Sequence, residues 1–422
     1  MILKDIKSLI YKKPFLFLIF MLFSVVSIIG LWSKKDNKLK LWPMSGLSIQ
    51  GNYFSFIERN PRITRGNLQK ILDTPEDPPS NRKELYSSII MFGLNIKLNK
   101  RISVNSAMHS LMTFGSDYPI YLENNSSVPV LQFLQNYFDY LPTNIRPYAP
   151  VWIKHEENDY FVLMSQSPRV ISDHLGQLSY ICALADVPIC TQFQLKSGEK
   201  VSLDTLLETE IKYADPQIHD AIWQTAALAY YRPNKRWRNL NGKRFSPLDF
   251  IESITDQVTG HYECGHMHPL ISATYAIRNL EESYKFDDGK SIRIGNCKKK
   301  IDKWVGCIKD TLWIDGSISS TWYLNEKKHP RTNQEIIIYN GHALEWLTTY
   351  LDSEQLKSAW VVSIANRFCL AVIDSLRNYS INSDSDVVDL PFEYAPFCHG
   401  LIGLRNYCKK TELGIERMMQ WE

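Results

Sequence analysis

The stretch "TGHYECGHMHPLISATYAI" (residues 259–277) sets three histidines, a glutamate and a cysteine within positions 261 to 268, then runs into an apolar segment of helical period. The same pairing of a histidine with an apolar helix recurs in five other places. They are "AMHSLM" at His109, "SDHLGQLSYICAL" at His174, "QIHDAIWQTAAL" at His219, "NGHALEWLTTYL" at His342 and "FCHGLIGLRNY" at His399. With His268, the separations are 65, 45, 49, 74 and 57 residues. That is close to the length of two helices and two loops, and a mark recurring at such a period signals a helical-hairpin repeat. Six hairpins with the marked helices inside form an all-α (α/α)6 toroid. Each histidine is expected at the start of an inner helix, all six at one end of the ring. There the helix dipoles disfavour a charged imidazole and favour bound anions.

The rest of the chain fits one such domain over residues 83–422. Helical periodicity falls near 83–98, 104–114, 128–141, 171–185, 200–213, 216–231, 247–258, 267–285, 297–313, 341–351, 354–378 and 396–408. Residues 149–166 alternate like a β-hairpin, and "QEIIIYNG" (334–341) reads either as extended or as a buried lead-in to the helix after it. "DGSISSTWYL" (315–324) reads as a turn on the cavity side.

The N-terminus differs. A short basic segment (1–13) precedes "PFLFLIFMLFSVVSIIGLW" (14–32), 19 residues without a charge. At 1.5 Å per residue it reaches about 28 Å, the thickness of a bilayer core. No small-residue cleavage site follows, so it reads as a transmembrane signal anchor. Residues 33–82, ending in the Pro-rich "DTPEDPPSNR", read as tether and lead-in. Lysines are balanced on the two sides of the span. The general habit of N-terminal anchors places the domain outside the cytoplasm, on a single-pass membrane protein. Net charge is +3, with no basic concentration of the kind nucleic acid needs.

Three local likenesses bear on function. "NGHALEWLTTYL" resembles the Gly-His-x-x-Glu helix start of N-acylglucosamine 2-epimerases, which implies that His342 and Glu345 face a cavity and work in acid–base chemistry. "FCHGLIGL" resembles the Cys-His-Gly segment of lanthionine cyclases, which implies Cys398 and His399 as zinc ligands with Cys264 as a third. "YECGHMH" around Cys264 departs from that family's pattern. The order "HYECGHMHPL", "DGSISSTWYL", "YNGHALEWL", "PFCHGL" looks like uncharacterised membrane-anchored or secreted prenyltransferase/squalene-cyclase-repeat proteins of the planctomycete type, which implies the α/α-toroid fold over about residues 100–408 and no particular reaction.

Three functional readings stay open. The first is an enzyme acting on a saccharide, with His342, Glu345, His268, Glu263 and His399 as acid–base candidates. His109, His174, His219, His266, Trp346 and Tyr262 would line the cavity, and Trp223, Tyr230, Tyr231, Trp322 and Tyr323 are further stacking candidates. The second is a zinc enzyme with Cys264, His268, Cys398 and His399 as ligands. The third is a non-catalytic toroid that binds a small molecule or acts as a scaffold.

Overall fold

The computed structural model describes residues 61–73, 82–123, 126–144, 153–155, 159–161, 176–195, 197–218, 221–258, 264–283, 288–378 and 387–415. The anchor and tether lie outside these residues.

The described chain is mostly helical, an all-α protein with a few short strands. Among the described residues, twelve helices of six or more residues follow a lead-in helix, Arg65–Leu72, with two four-residue helices, Tyr137–Tyr140 and Ser353–Leu356, between them. They are α1 (Arg82–Leu94), α2 (Val104–Phe114), α3 (Val130–Gln135), α4 (Gln177–Leu184), α5 (Leu203–Tyr213) and α6 (Ala221–Tyr231). Then come α7 (Pro247–Asp256), α8 (His268–Ser283), α9 (Asp288–Thr311), α10 (Asn333–Tyr350), α11 (Ala359–Asn378) and α12 (Tyr394–Lys410). The even-numbered helices pack in sequence, α2 on α4, α4 on α6, α6 on α8, α8 on α10 and α10 on α12. The last, α12, packs back on α2. Odd-numbered helices lie against them: α3 on α2, α5 on α4, α7 on α6 and α8, and α11 on α10 and α1. The inner helices α4 and α6 are apolar nearly all round, as helices with neighbours on every side must be.

Local signals set the helix starts. Ser103 and Ser202 cap α2 and α5, each hydroxyl accepting from the backbone N–H three residues on. Pro247 opens α7, with the Asp249 carboxylate accepting from the Ser246 N–H at 2.6 Å. Short strands serve as clasps: Arg62–Thr64 pairs antiparallel with Val387–Asp389, tying the two ends of the domain together. The expected hairpin exists as Ile153–His155 against Asp159–Phe161.

Residues 334–341 are a correction. They are the first turns of α10 itself, not an extended segment ahead of it. Thr332 caps the helix by accepting from the Glu335 N–H at 3.1 Å, and Glu335 reaches back to the Arg331 N–H. The turn at 315–318 is fastened by Asn340 on α10, whose amide oxygen accepts from the Ile318 N–H and whose amide nitrogen donates to Gly316 and Ile364 carbonyls. Asn340 lies roughly 200° around the helix from His342, so this turn sits on the outer side of α10 and not on the histidine side.

Helices α10 and α12 approach closely because glycines face each other. A Cβ on Gly403 would stand 2.5 Å from the Glu345 backbone nitrogen, and one on Gly341 would stand 2.9 Å from the Pro396 carbonyl oxygen. Among the described residues, α11 is the one helix long and apolar enough by composition to cross a membrane, but half of its apolar window is buried in the domain.

Candidate functional site

Four histidines meet where α2, α8, α10 and α12 converge. His342 and His399 rings lie 4.1 Å apart, His268 and His342 4.9 Å, His268 and His399 5.2 Å, and His109 and His399 5.2 Å, centre to centre. All four are buried. The contact chain extends through Trp223 on α6, 4.6 Å from His268, to Tyr180 on α4, 5.4 Å from Trp223. Every even-numbered helix thus places an aromatic or imidazole ring in one connected row. His174 and His219, expected here for α4 and α6, lie outside the described residues, as do His261, Tyr262, Glu263 and the side chain of Cys264.

The helix-start expectation is corrected. His268 is the first residue of α8, but His109 and His399 are each the sixth of their helices and His342 is the tenth of α10. The centre lies at mid-height of these helices. For His109, His342 and His399 the electrostatics therefore come from burial rather than from helix N-termini, whose influence ends within the first turn.

The rings of His109, His342 and His399 are held on their Nδ1 side. His109 Nδ1 donates to the Asn105 carbonyl and His342 Nδ1 to the Ile338 carbonyl, both at 2.7 Å. A carbonyl only accepts, so Nδ1 carries the proton and Nε2 keeps its lone pair. The Nε2 of His342 is buried and has no hydrogen-bond partner among the described residues. His399 Nδ1 is hydrogen-bonded to Glu345 Oε2. Ligand nitrogens of His268, His342 and His399 all lie within 4.8 Å of one another.

Burial controls the ionisation. It pushes His109 down to about 3, helped by the neighbouring His399 and opposed by the Asn105 carbonyl. It holds His342 well below the usual range, with His399 and His109 adding to the effect. It raises Glu345, which the Tyr275 hydroxyl beside it partly offsets, and lowers His399. The Glu345–His399 pair thus carries one proton and no net charge around neutrality. Burial thus favours the neutral form of His109, His342 and His399, the state a metal ion requires of its ligands.

Other site expectations separate. Cys398 is not in the cluster: it is one residue, or roughly 100°, from His399 on α12 and cannot aim at the same point. Burial pushes its thiol up to about 12, and its neighbours are the Thr113 and Tyr394 hydroxyls. The observed third position belongs to His342 instead. Trp346 packs on Trp322, which in turn contacts Trp304 of α9, away from the histidines. His266 stacks on Tyr323 at 3.7 Å, in a loop where Gly265 and His266 both take positive φ. Trp322 donates to the Gly265 carbonyl, and the Tyr230 and Tyr231 hydroxyls anchor Asp186 and Val187 in the loop after α4. These four aromatics do structural work.

Sequence reasoning passed over Tyr180 and Tyr275, because an aromatic inside an apolar helix gives no sign of which face it takes. The mid-helix place of His342 was readable from "TNQE" (332–335), a Thr-x-x-Glu capping signature ahead of the apolar run. No family model matches the chain, no curated protein matches it, and no solved structure matches it.

Proposed function

We propose that this chain is an (α/α)6 toroid, carried on the outer face of a membrane by residues 14–32, and that its central histidines hold a zinc-class metal ion in an enzyme site. The cyclic packing of α2, α4, α6, α8, α10 and α12 supports the toroid. One observation carries the metal reading. His342 presents a buried, unpartnered Nε2 beside the ligand nitrogens of His268 and His399. A buried imidazole nitrogen left without a partner costs free energy on the order of 1–3 kcal/mol, which a bound ion recovers.

The residues fit the group. Three neutral imidazoles are a catalytic zinc donor set with a fourth position open. Nitrogens on one zinc ion stand about 3.3 Å apart, so modest side-chain rotation closes the set. The Glu345–His399 contact is the carboxylate–histidine arrangement that orients a ligating ring. When bound, such an ion supplies Lewis acidity and an acidified water. This chain's own residues keep the rings neutral and oriented, and Glu345 holds or releases the proton at His399 Nδ1.

Acid–base work on a saccharide is the second reading, favoured by the Trp223 ring, which stands against His268 as a stacking wall. Elemental analysis of the detergent-solubilised full chain, purified without a His-tag, tests the first. About one zinc per chain, lost in His342→Ala, is the expected result. A wild type that stays metal-free after zinc loading rejects it and leaves glycan screening against the same variant.

A further inference from the structure

A cavity of about 610 Å³ opens at the C-terminal ends of α2, α4 and α12, distinct from the histidine centre but one residue from it. Tyr275 of α8 lines it, and its hydroxyl stands beside Glu345, the partner of His399. Arg405, Asn406 and Lys409 line it from α12, and Asp186 lines it from the loop after α4. Arg405 is the unusual member. It is partly buried, and burial lowers its pKa. It donates one hydrogen bond, to the Thr113 carbonyl. Among the described residues no carboxylate pairs with it. Asp186 is engaged elsewhere, accepting from the Tyr230 hydroxyl at 3.0 Å.

A guanidinium has five N–H donors in a planar fork. Capping one free carbonyl in the last turn of α2 uses one of them. Arg405 lines the cavity, and its other donors belong to a cation that burial has partly stripped of water, which is unfavourable without an anion. Lys409 lies one helical turn on, on the same face of α12. The wall therefore offers a fork, an ammonium, an amide and a phenol, which together fit the oxygens of one carboxylate or phosphate group.

We propose that this cavity binds a small organic anion through a carboxylate or phosphate group held by Arg405 and Lys409. Its other end would meet Tyr275, next to the histidine centre. The proposal names the substrate class for the metal-site reading and rests on that reading for the ligand's purpose. Binding itself rests on the cavity.

The test is calorimetric titration of inorganic phosphate and, separately, of succinate into the detergent-solubilised full chain at fixed ionic strength. Wild type is compared with Arg405→Met, Lys409→Met and His342→Ala, and zinc content is measured in each sample. At least one of the two anions should saturate the wild type. Which one does so identifies the group recognised. Arg405→Met should weaken binding tenfold or more and Lys409→Met about threefold, while His342→Ala is read for zinc content only. Failure of both anions to bind wild type overturns the proposal. So does wild-type binding by both cavity variants. If Arg405→Met does not fold, unchanged binding by Lys409→Met, an exposed-site change, overturns it. Because zinc is read independently, anion binding to a zinc-free protein would sink the metal reading alone, and a zinc-loaded protein that ignores both anions would sink this proposal alone.

Discussion

Glu345 and His399 hydrogen-bond across two helices whose backbones nearly touch, and Gly403 is what permits it. Both side chains are fully or almost fully buried, at 0% and 2% exposed. Among the described residues no cation stands against the carboxylate, and its main partner is the imidazole. A carboxylate placed behind a ligating histidine fixes the ring and strengthens its lone pair. Glu345→Gln preserves size and one hydrogen bond but removes the charge and the proton acceptor of a carboxylate. Zinc affinity, read by competition with a chromophoric chelator, should fall 10- to 100-fold. Unchanged affinity would remove Glu345 from the site.

The same contact makes a stability prediction. In Gly403→Ala the new methyl group meets the backbone at Leu344 and Glu345, which cannot step aside as a flexible side chain would. The helices must separate, at a cost of about 3 kcal/mol or more. Gly306, in the interior of α9, has nothing within 4 Å of a built Cβ. There Gly306→Ala should gain about 0.5–1 kcal/mol, because alanine is the better helix former and restricts the unfolded chain. Urea denaturation of both variants checks the pair of opposite signs.

Asn340 separates fold from site. Its three hydrogen bonds join α10 to the 315–318 turn and to α11, on the face away from His342. Asn340→Ala leaves buried backbone groups unsatisfied and should cost about 3 kcal/mol. Zinc content per folded molecule should stay at the wild-type level. A drop in zinc equal to that of His342→Ala would mean the two faces of α10 are coupled.

The alternation of apolar helices and the histidines of α2, α8, α10 and α12 were legible because both are patterns of spacing. The height of the histidines along their helices was not. A cap such as Thr332–Glu335 moves a helix start by two turns without altering the apolar period that announces the helix. Cys398 shows the second limit. Adjacency to His399 in sequence suggested shared ligation, but on a helix adjacency means divergence, while His342, 57 residues away, converges. The Arg405 cavity was invisible because it is made by the ends of three helices from distant parts of the chain.

Titration offers a test that needs no ligand. Take the metal-free protein, with a chelator present. Below about pH 6.5 an unfolded histidine binds a proton, while His109, pushed to about 3, and His342, held well below its usual range, do not. The unfolded state then holds two more protons at these sites, and stability falls with acid by up to about 2.7 kcal/mol per pH unit. Glu210, raised to about 7 by burial against a hydrogen bond from Ser179, works oppositely: folded, it keeps a proton that the unfolded chain loses above about 4.5, and this offsets one of the two. Above pH 6.5 the sign reverses. The folded Glu345–His399 pair retains one proton, whereas its unfolded groups, with ordinary values of 4.5 and 6.5, retain none. Stability then declines toward alkali. The melting temperature of the metal-free protein should peak near pH 6.5 and fall on both sides. His109→Gln should flatten the acid limb alone, whereas Glu345→Gln should flatten the alkaline limb and steepen the acid one, since folded His399 then stays neutral where its unfolded form binds a proton. Zinc should raise the melting temperature across the profile without abolishing the acid limb, because that limb comes from protons taken up by the unfolded chain. A flat profile between pH 5 and 8 in the metal-free protein would mean that the histidines are hydrated and that the buried centre does not exist in solution.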